Sequence, residues 1–126
     1  MDLNHISSRI IKGAIDVHQE LGPGLLESVY QTCMAIELKK AGLRVKNEVP
    51  VPIKFRGNEI TEQGFRIDLL VEDQIVVELK SVEQVKDLHK KQLLTYLRLA
   101  GKPLGLLINF NEVLLKNGIT RIINTT

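Results

Sequence analysis

Phe65-Arg66-Ile67-Asp68-Leu69-Leu70-Val71-Glu72-Asp73-Gln74-Ile75-Val76-Val77-Glu78-Leu79-Lys80 is the stretch that decides the fold. Two apolar runs, Phe65 to Val71 and Ile75 to Leu79, flank the polar triplet Glu72-Asp73-Gln74. This pattern predicts two strands joined by a tight turn. A turn centred on Asp73 sets Asp68 opposite Glu78, and directly opposed residues have Cβ atoms about 5 Å apart on one face. Side chains alternate along a strand, so Lys80 shares that face. An Asp, a Glu and a Lys are thus gathered on one patch of sheet, among the apolar Val76, Val77 and Leu79. Two carboxylates so placed repel, and at the border of a core they need compensation. A divalent cation supplies it. Mg²⁺ takes one or two carboxylates and keeps waters for substrate phosphates. Such an ion activates water and neutralises charge on a phosphodiester. The plainer alternative is a Glu–Lys pair on a solvated sheet face.

Working outward, Leu43 to Val49 and Val51 to Phe55 alternate loosely, with Pro50 and Pro52 marking an edge or a bend. Gly57-Asn58 is a two-residue hairpin signal with a short strand beyond it. Upstream lie two helices. The first runs from about Asn4 to Leu21, with Ile6, Ile10, Ala14, Val17 and Leu21 at helical spacing and Gly22-Pro23 as its stop. The second runs from about Leu25 to Ala41, with Tyr30, Met34, Leu38 and Ala41 as its stripe and Gly42 as its cap. Downstream, Glu83 to Leu99 reads as a third helix, ended by Gly101 and Pro103. Leu104 to Phe110 is a continuous apolar run, the mark of a strand buried on both faces. Val113 to Lys116 and Ile119 to Ile123 flank Asn117-Gly118, a second hairpin signal. Helices and strands in this order predict a mixed α/β layer protein.

Two of the helices carry polar residues out of place. With Gln92 as the zero of a helical wheel, Val85, Leu88, His89, Tyr96, Leu99 and Ala100 fall within about 80° of it. Gln92 and Tyr96 are then expected in the apolar stripe, where polar groups need partners. An active site in the adjoining sheet would supply them; so would backbone groups, with no further role, and His89 is read in that second way. Glu27 falls between Met34 and Leu38, near Tyr30, where an unpaired Glu is unusual. Its place in the first turn also suits it to the helix dipole alone. One shared pocket would account for all three segments.

The chain has 126 residues, a length that suggests one domain over 1–126. Its 44% hydrophobic and 25% charged residues are ordinary for a globular protein and exclude a disordered or collagen-like chain. No apolar run reaches a membrane-spanning length, and no secretory signal is read at the N-terminus. The single cysteine, Cys33, permits no intrachain disulfide, so a cytoplasmic location is expected. A net charge of +2 does not by itself announce a nucleic-acid binder. Aromatics at 4% make a broad base-stacking platform an unsuitable reading. Lys80, Lys86, Lys90, Lys91, Arg98 and Lys102 outnumber Glu83 and Asp87 around the third helix. That stripe either tracks a phosphate backbone or is a solvated face. No Gly-rich phosphate loop or zinc-ligand cluster appears.

At these residues the chain resembles the PD-(D/E)XK nuclease superfamily, whose signature is an Asp, a gap and Glu-x-Lys: here Asp68 and Glu78-Leu79-Lys80. Gln92-x-x-x-Tyr96 resembles the extra motif of its helicase–nuclease branch. Gly24-Leu25-Leu26-Glu27-Ser28-Val29-Tyr30 is similar to the motif that names the small GxxExxY family. So are Leu21-Gly22-Pro23-Gly24, Gln92 to Leu97, Leu107-Ile108-Asn109-Phe110 and Gly118 to Ile122. The resemblance covers nearly the whole chain. It implies a restriction-endonuclease-like αβββαβ core with a mixed sheet flanked by helices, here with an extra N-terminal helix and a C-terminal β-hairpin. It also implies Mg²⁺-dependent phosphodiester hydrolysis, with Mn²⁺ as a substitute, on DNA rather than RNA. Carried over, Asp68 and Glu78 become metal ligands with the Leu79 carbonyl, and Lys80 positions or deprotonates water. Glu27 touches the metal directly or through water, and Gln92 and Tyr96 organise the site or contact nucleic acid. Lys86, Lys90, Lys91 and Arg98 are the candidate phosphate contacts, and a homodimer would extend the small surface. The competing expectation is a nucleic-acid-binding or protein-interaction module that keeps the fold without turnover.

Overall fold

The computed structural model describes residues 1–60 and 65–125. Helices α1 (Leu3–Leu21) and α2 (Glu27–Lys40) are followed by β1 (Val45–Pro50), a small hairpin β2 (Ile53–Phe55) and β3 (Asn58–Ile60), and then β4 (Arg66–Val71) and β5 (Ile75–Lys80). Helix α3 (Asp87–Ala100) carries the chain to β6 (Leu104–Asn109), and a 3₁₀ turn (Leu115–Gly118) leads into β7 (Ile119–Ile123). Five strands form one mixed sheet in the order β1-β4-β5-β6-β7, in which only β5 and β6 are parallel. Parallel neighbours need a crossover, and α3 provides it.

The helices cover both faces of the sheet. Ile6, Ile10, Ala14 and Val17 of α1 and Tyr30, Met34 and Leu38 of α2 bury against Leu69, Val71, Ile75, Val77, Leu104, Leu106 and Ile108. On the other face Leu93, Tyr96 and Leu97 of α3 pack on Leu70, Val76 and Leu107. Helix α1 starts on Asp2, whose carboxylate accepts from the His5 N–H at 2.8 Å, and stops at Gly22 as its residue pattern requires. A side chain at Gly13 would meet Leu38 Cδ2 at 3.0 Å, so the two N-terminal helices pack closely there. Every residue of β6 is buried, as its unbroken apolar run predicts.

Four local expectations are corrected. The small hairpin turns at Arg56-Gly57, both with positive φ, and Asn58 is already the first residue of β3, paired with Phe55. Val113 to Lys116 form no strand. Asn117-Gly118 close a 3₁₀ turn in which a Cβ on Gly118 would strike the Asn109 carbonyl, and β7 pairs with β6. The C-terminal hairpin therefore has β6 and β7 as its arms. Leu21, expected in the stripe of α1, is exposed at 38%. Helix α3 begins at Asp87 rather than Glu83. Without Val85 and the exposed Leu88, its apolar centre moves one residue around, to Leu93 and Leu97.

Candidate active site

Three elements end together where β5 finishes. The β4–β5 ladder is regular from Val71↔Ile75 through Leu69↔Val77 and then stops. The next rung would pair Asp68 with Glu78, as the turn at Asp73 requires. Instead their side chains take over the bonding: Asp68 Oδ2 accepts the Leu79 N–H at 2.8 Å, and Glu78 Oε1 accepts the Asp68 N–H at 3.4 Å. Each acid is held by the strand of the other, and the two carboxyl groups are close enough for each to act on the other's proton.

The electrostatics follow from this enclosure. Glu78 is only 9% exposed. Burial, and then the charge of Asp68, pushes its carboxyl up to about 9. Burial also raises Asp68, against the pull of the Leu79 N–H, and the nearby charges of Glu48 and Lys80 act in opposite directions on it. At neutral pH the pair therefore retains a proton. Tyr96 lies close enough that burial and the charges of Glu78 and Asp68 raise its phenol. Lys80 is half-buried at the end of the same strand.

Helix α2 meets this point through its first turn. The Glu27 carboxylate accepts the Ser81 N–H at 3.4 Å, and the Ser81 hydroxyl donates to the Leu25 carbonyl at 2.6 Å. One turn on, Gln31 Nε2 donates to the Asp68 carbonyl at 3.3 Å. The loop before the helix is pinned by Tyr30, whose hydroxyl donates to the Gly22 carbonyl at 2.6 Å and accepts the Leu25 N–H at 3.1 Å. The Tyr30 ring stacks on Phe110 with centroids 4.3 Å apart, so this clip is anchored in the core. Gly24, with φ at +92°, lets the loop bend into the clip. Gly24, Glu27 and Tyr30 thus act together: a flexible bend, an acid at the helix tip and an anchor that fixes both.

The expected residues divide accordingly. Asp68, Glu78, Leu79 and Lys80 lie together, Glu27 touches the residue after Lys80, and Tyr96 lies within electrostatic reach of the acids. Glu27 is not within the apolar stripe of α2; it is exposed on the first helical residue, and its bond crosses to Ser81 rather than capping its own helix. Gln92 is not within the apolar stripe of α3 either. Leu93 takes that place and Gln92 faces out. His89 Nδ1 accepts the Lys86 N–H at 3.0 Å, the bland role expected for it. Lys86 and Lys90 stand on the first turns of α3, at the end of the crossover nearer Lys80. Lys91 is exposed just beyond them, and Arg98 is in the last turn, toward the opposite end of the sheet.

Four further residues shape the site, and composition gives no hint of them. Gln31 and Ser81 are ordinary polar residues whose partners are remote in sequence. Asn109 is fully buried opposite Lys80; its side chain accepts the Val82 N–H at 3.1 Å and donates to the Val82 carbonyl at 2.9 Å, which fixes the exit from β5. Glu48 lies near Asp68 from β1. Asn109 is the one with a legible signal, as an amide ending a wholly apolar run.

The donor set suits a hard divalent cation. Two facing carboxyl groups, of which the buried Glu78 keeps its proton at neutral pH, offer oxygen donors whose proton an ion can replace. Among the described residues no three His, Cys, Asp or Glu side chains form a ligand group. An ion held here would rest on two carboxylates with main-chain oxygen and water, a sparse protein shell of the kind Mg²⁺ accepts. Among the described residues no helix is long and apolar enough to cross a membrane.

A model of the PD-(D/E)XK nuclease superfamily matches residues 4–122. No curated protein and no solved structure is matched by the chain.

Proposed function

The chain belongs to the PD-(D/E)XK nuclease superfamily, and from that premise we propose that it is a Mg²⁺-dependent nuclease of the GxxExxY type, acting as one domain over residues 1–126. Its substrate is the phosphodiester backbone of DNA in preference to RNA, and Mn²⁺ substitutes for Mg²⁺. The observation that carries this reading is the interlocked pair, Asp68 and Glu78, each held by the other's strand and both raised in pKa beside Lys80.

Asp68 and Glu78 hold the ion, with the Leu79 carbonyl as a third donor. When bound, the ion supplies Lewis acidity toward a phosphate oxygen and toward water. Lys80 orients the attacking water and offsets the negative charge that builds on the phosphorus oxygens as the leaving oxygen departs. Glu27, exposed on the first turn of α2 and bonded to Ser81, would meet the metal directly or through water. Tyr96, buried on α3 within electrostatic reach of Glu78 and Asp68, organises that flank of the site. Gln92, facing out from the same helix, contacts the nucleic acid. Lys86 and Lys90 make phosphate contacts near the site, and Lys91 and Arg98 extend the track along α3. So few contacts on so small a protein give weak, salt-dependent binding, and a second copy would lengthen the track. The free Cys33 suits the reducing cytoplasm.

The test is cleavage of supercoiled plasmid and single-stranded DNA with Mg²⁺ or Mn²⁺. Asp68→Ala and Lys80→Ala are run beside the wild type, with folding checked by circular dichroism. Both variants fold and lose at least about 100-fold in rate. Equal cleavage by wild type and Asp68→Ala would assign the activity to a different site or a contaminant. A wild type inert across metals and substrates would turn the reading to a binding module that keeps the fold.

A further inference from the structure

Four non-glycine residues among those described have positive φ. Arg56, Glu72 and Asp73 sit in turns, where that conformation is expected, but Glu48, at φ +54°, stands inside β1. Such a conformation within a strand is costly for any residue with a Cβ. Around it the β1–β4 ladder skips one rung. Asn47 pairs with Leu69 and Val49 with Ile67, but Glu48 and Asp68 are not a pair.

The missing rung has a consequence on both strands. In an unbroken strand, alternate residues share a face. Yet Val45 packs with the α1/α2 side and Val49 with the α3 side. Likewise Leu69 and Val71 belong to the α1/α2 side, and Ile67 to the α3 side. Both strands switch faces at one level, so the register is the same before and after. The Glu48 carbonyl receives Arg66 Nη1 at 3.4 Å from the neighbouring strand. Asp68, lying at the switch, is the residue whose carboxylate enters the seam with β5 and bonds Leu79.

We infer that the left-handed backbone of Glu48 is a positioning device: it forces the paired switch of β1 and β4 and so turns the Asp68 carboxylate into the seam with Glu78. The backbone carries this role and the Glu48 carboxylate does not. The inference deepens the proposed nuclease site, and rests on that reading only where a bound metal is the readout.

A series of substitutions at Glu48 separates conformation from charge. Gly and Asn accept positive φ, Ala accepts it less well and Val least. Mn²⁺ binding to the DNA-free protein is measured by electron paramagnetic resonance, beside the methyl contacts of Ile67 by NMR and the melting temperature. Glu48→Gly and Glu48→Asn stay within about three-fold of wild-type affinity. Glu48→Ala is weakened, and Glu48→Val by more than ten-fold, with Ile67 leaving the cluster it shares with Leu93 and Tyr96. Should Glu48→Val fail to fold, the order of Gly, Asn and Ala still decides. An equal fall in all four neutral variants would overturn the inference in favour of the carboxylate. Unchanged Ile67 contacts in Glu48→Ala and Glu48→Val would overturn it as well. If the wild type binds no Mn²⁺, the nuclease reading is what fails, and the Ile67 contacts alone decide the role of Glu48.

Discussion

The β4–β5 hairpin carries two acids at each end, and the ends treat them in opposite ways. At the turn, Glu72 meets Arg44 at 3.3 Å and Asp73 meets Lys102 at 3.1 Å. The Arg44 N–H holds Glu72 below its ordinary value, and the Lys102 bond does the same for Asp73. At the open end, Asp68 and Glu78 face each other, burial raises both, and neither makes an ion pair among the described residues. The turn pairs each charge with a cation, and one partner of each pair stands well exposed to solvent. The open end crowds two acids into a low-dielectric corner where they keep a proton at neutral pH, an arrangement that opposes stability as pH rises and favours the arrival of a cation.

The largest expected separation of the two ends comes from neutralising Glu78. Glu78→Gln removes a buried ionisable group and keeps its shape. It should abolish Mn²⁺ binding and cleavage while raising the melting temperature of the metal-free protein at pH 8. A variant that melts lower than wild type at that pH would contradict the claim that the pair costs stability.

The second separation is in pH. Glu78 binds its proton more tightly folded than unfolded, since its pKa rises from 4.5 to about 9. Between those values the unfolded chain has lost a proton that the folded one keeps. Stability is therefore fullest below the lower value and falls as pH rises toward the upper one. Melting of the metal-free wild type between pH 5 and 9 should show this decline, Glu78→Gln should flatten it, and saturating Mn²⁺ should reverse it. A flat wild-type profile would place the two ends of the hairpin on the same electrostatic footing.

The smallest effects belong to the turn. Glu72→Gln and Asp73→Asn should leave cleavage unchanged and lower the melting temperature slightly at low ionic strength. That difference should vanish in high salt, because exposed pairs are screened. Lost activity in either variant would show that the turn end communicates with the site.

Most of this contrast is legible in the residues. The apolar runs on either side of Glu72-Asp73-Gln74 fix the turn, and the turn fixes which acid opposes which. The stripes of α1 and α2 and the unbroken run of β6 are equally plain. Helix α3 is less so: Val85 and Leu88 continue its periodicity on paper, but the helix starts at Asp87, and this displaces Gln92 from the interior. Glu27 is recognisable as an acid at a helix start, whereas its partner Ser81 is an unremarkable residue 54 positions away. Face switching in β1 and β4 has no signature, because no glycine marks it and the pattern of apolar residues survives with one step omitted. Local chemistry reveals the acids; only the assembled sheet reveals that their rung is missing.

The bend in β1 has an effect away from the acids. β1 is an outermost strand, and its outer rim offers main-chain groups to any extended segment that drifts past. Lys46 and Glu48 place charges along that rim, Pro50 withholds an N–H, and the kink at Glu48 breaks its straightness. Strand-to-strand aggregation needs a long, flat rim, and here the contortion beside the acids also keeps molecules from zipping together.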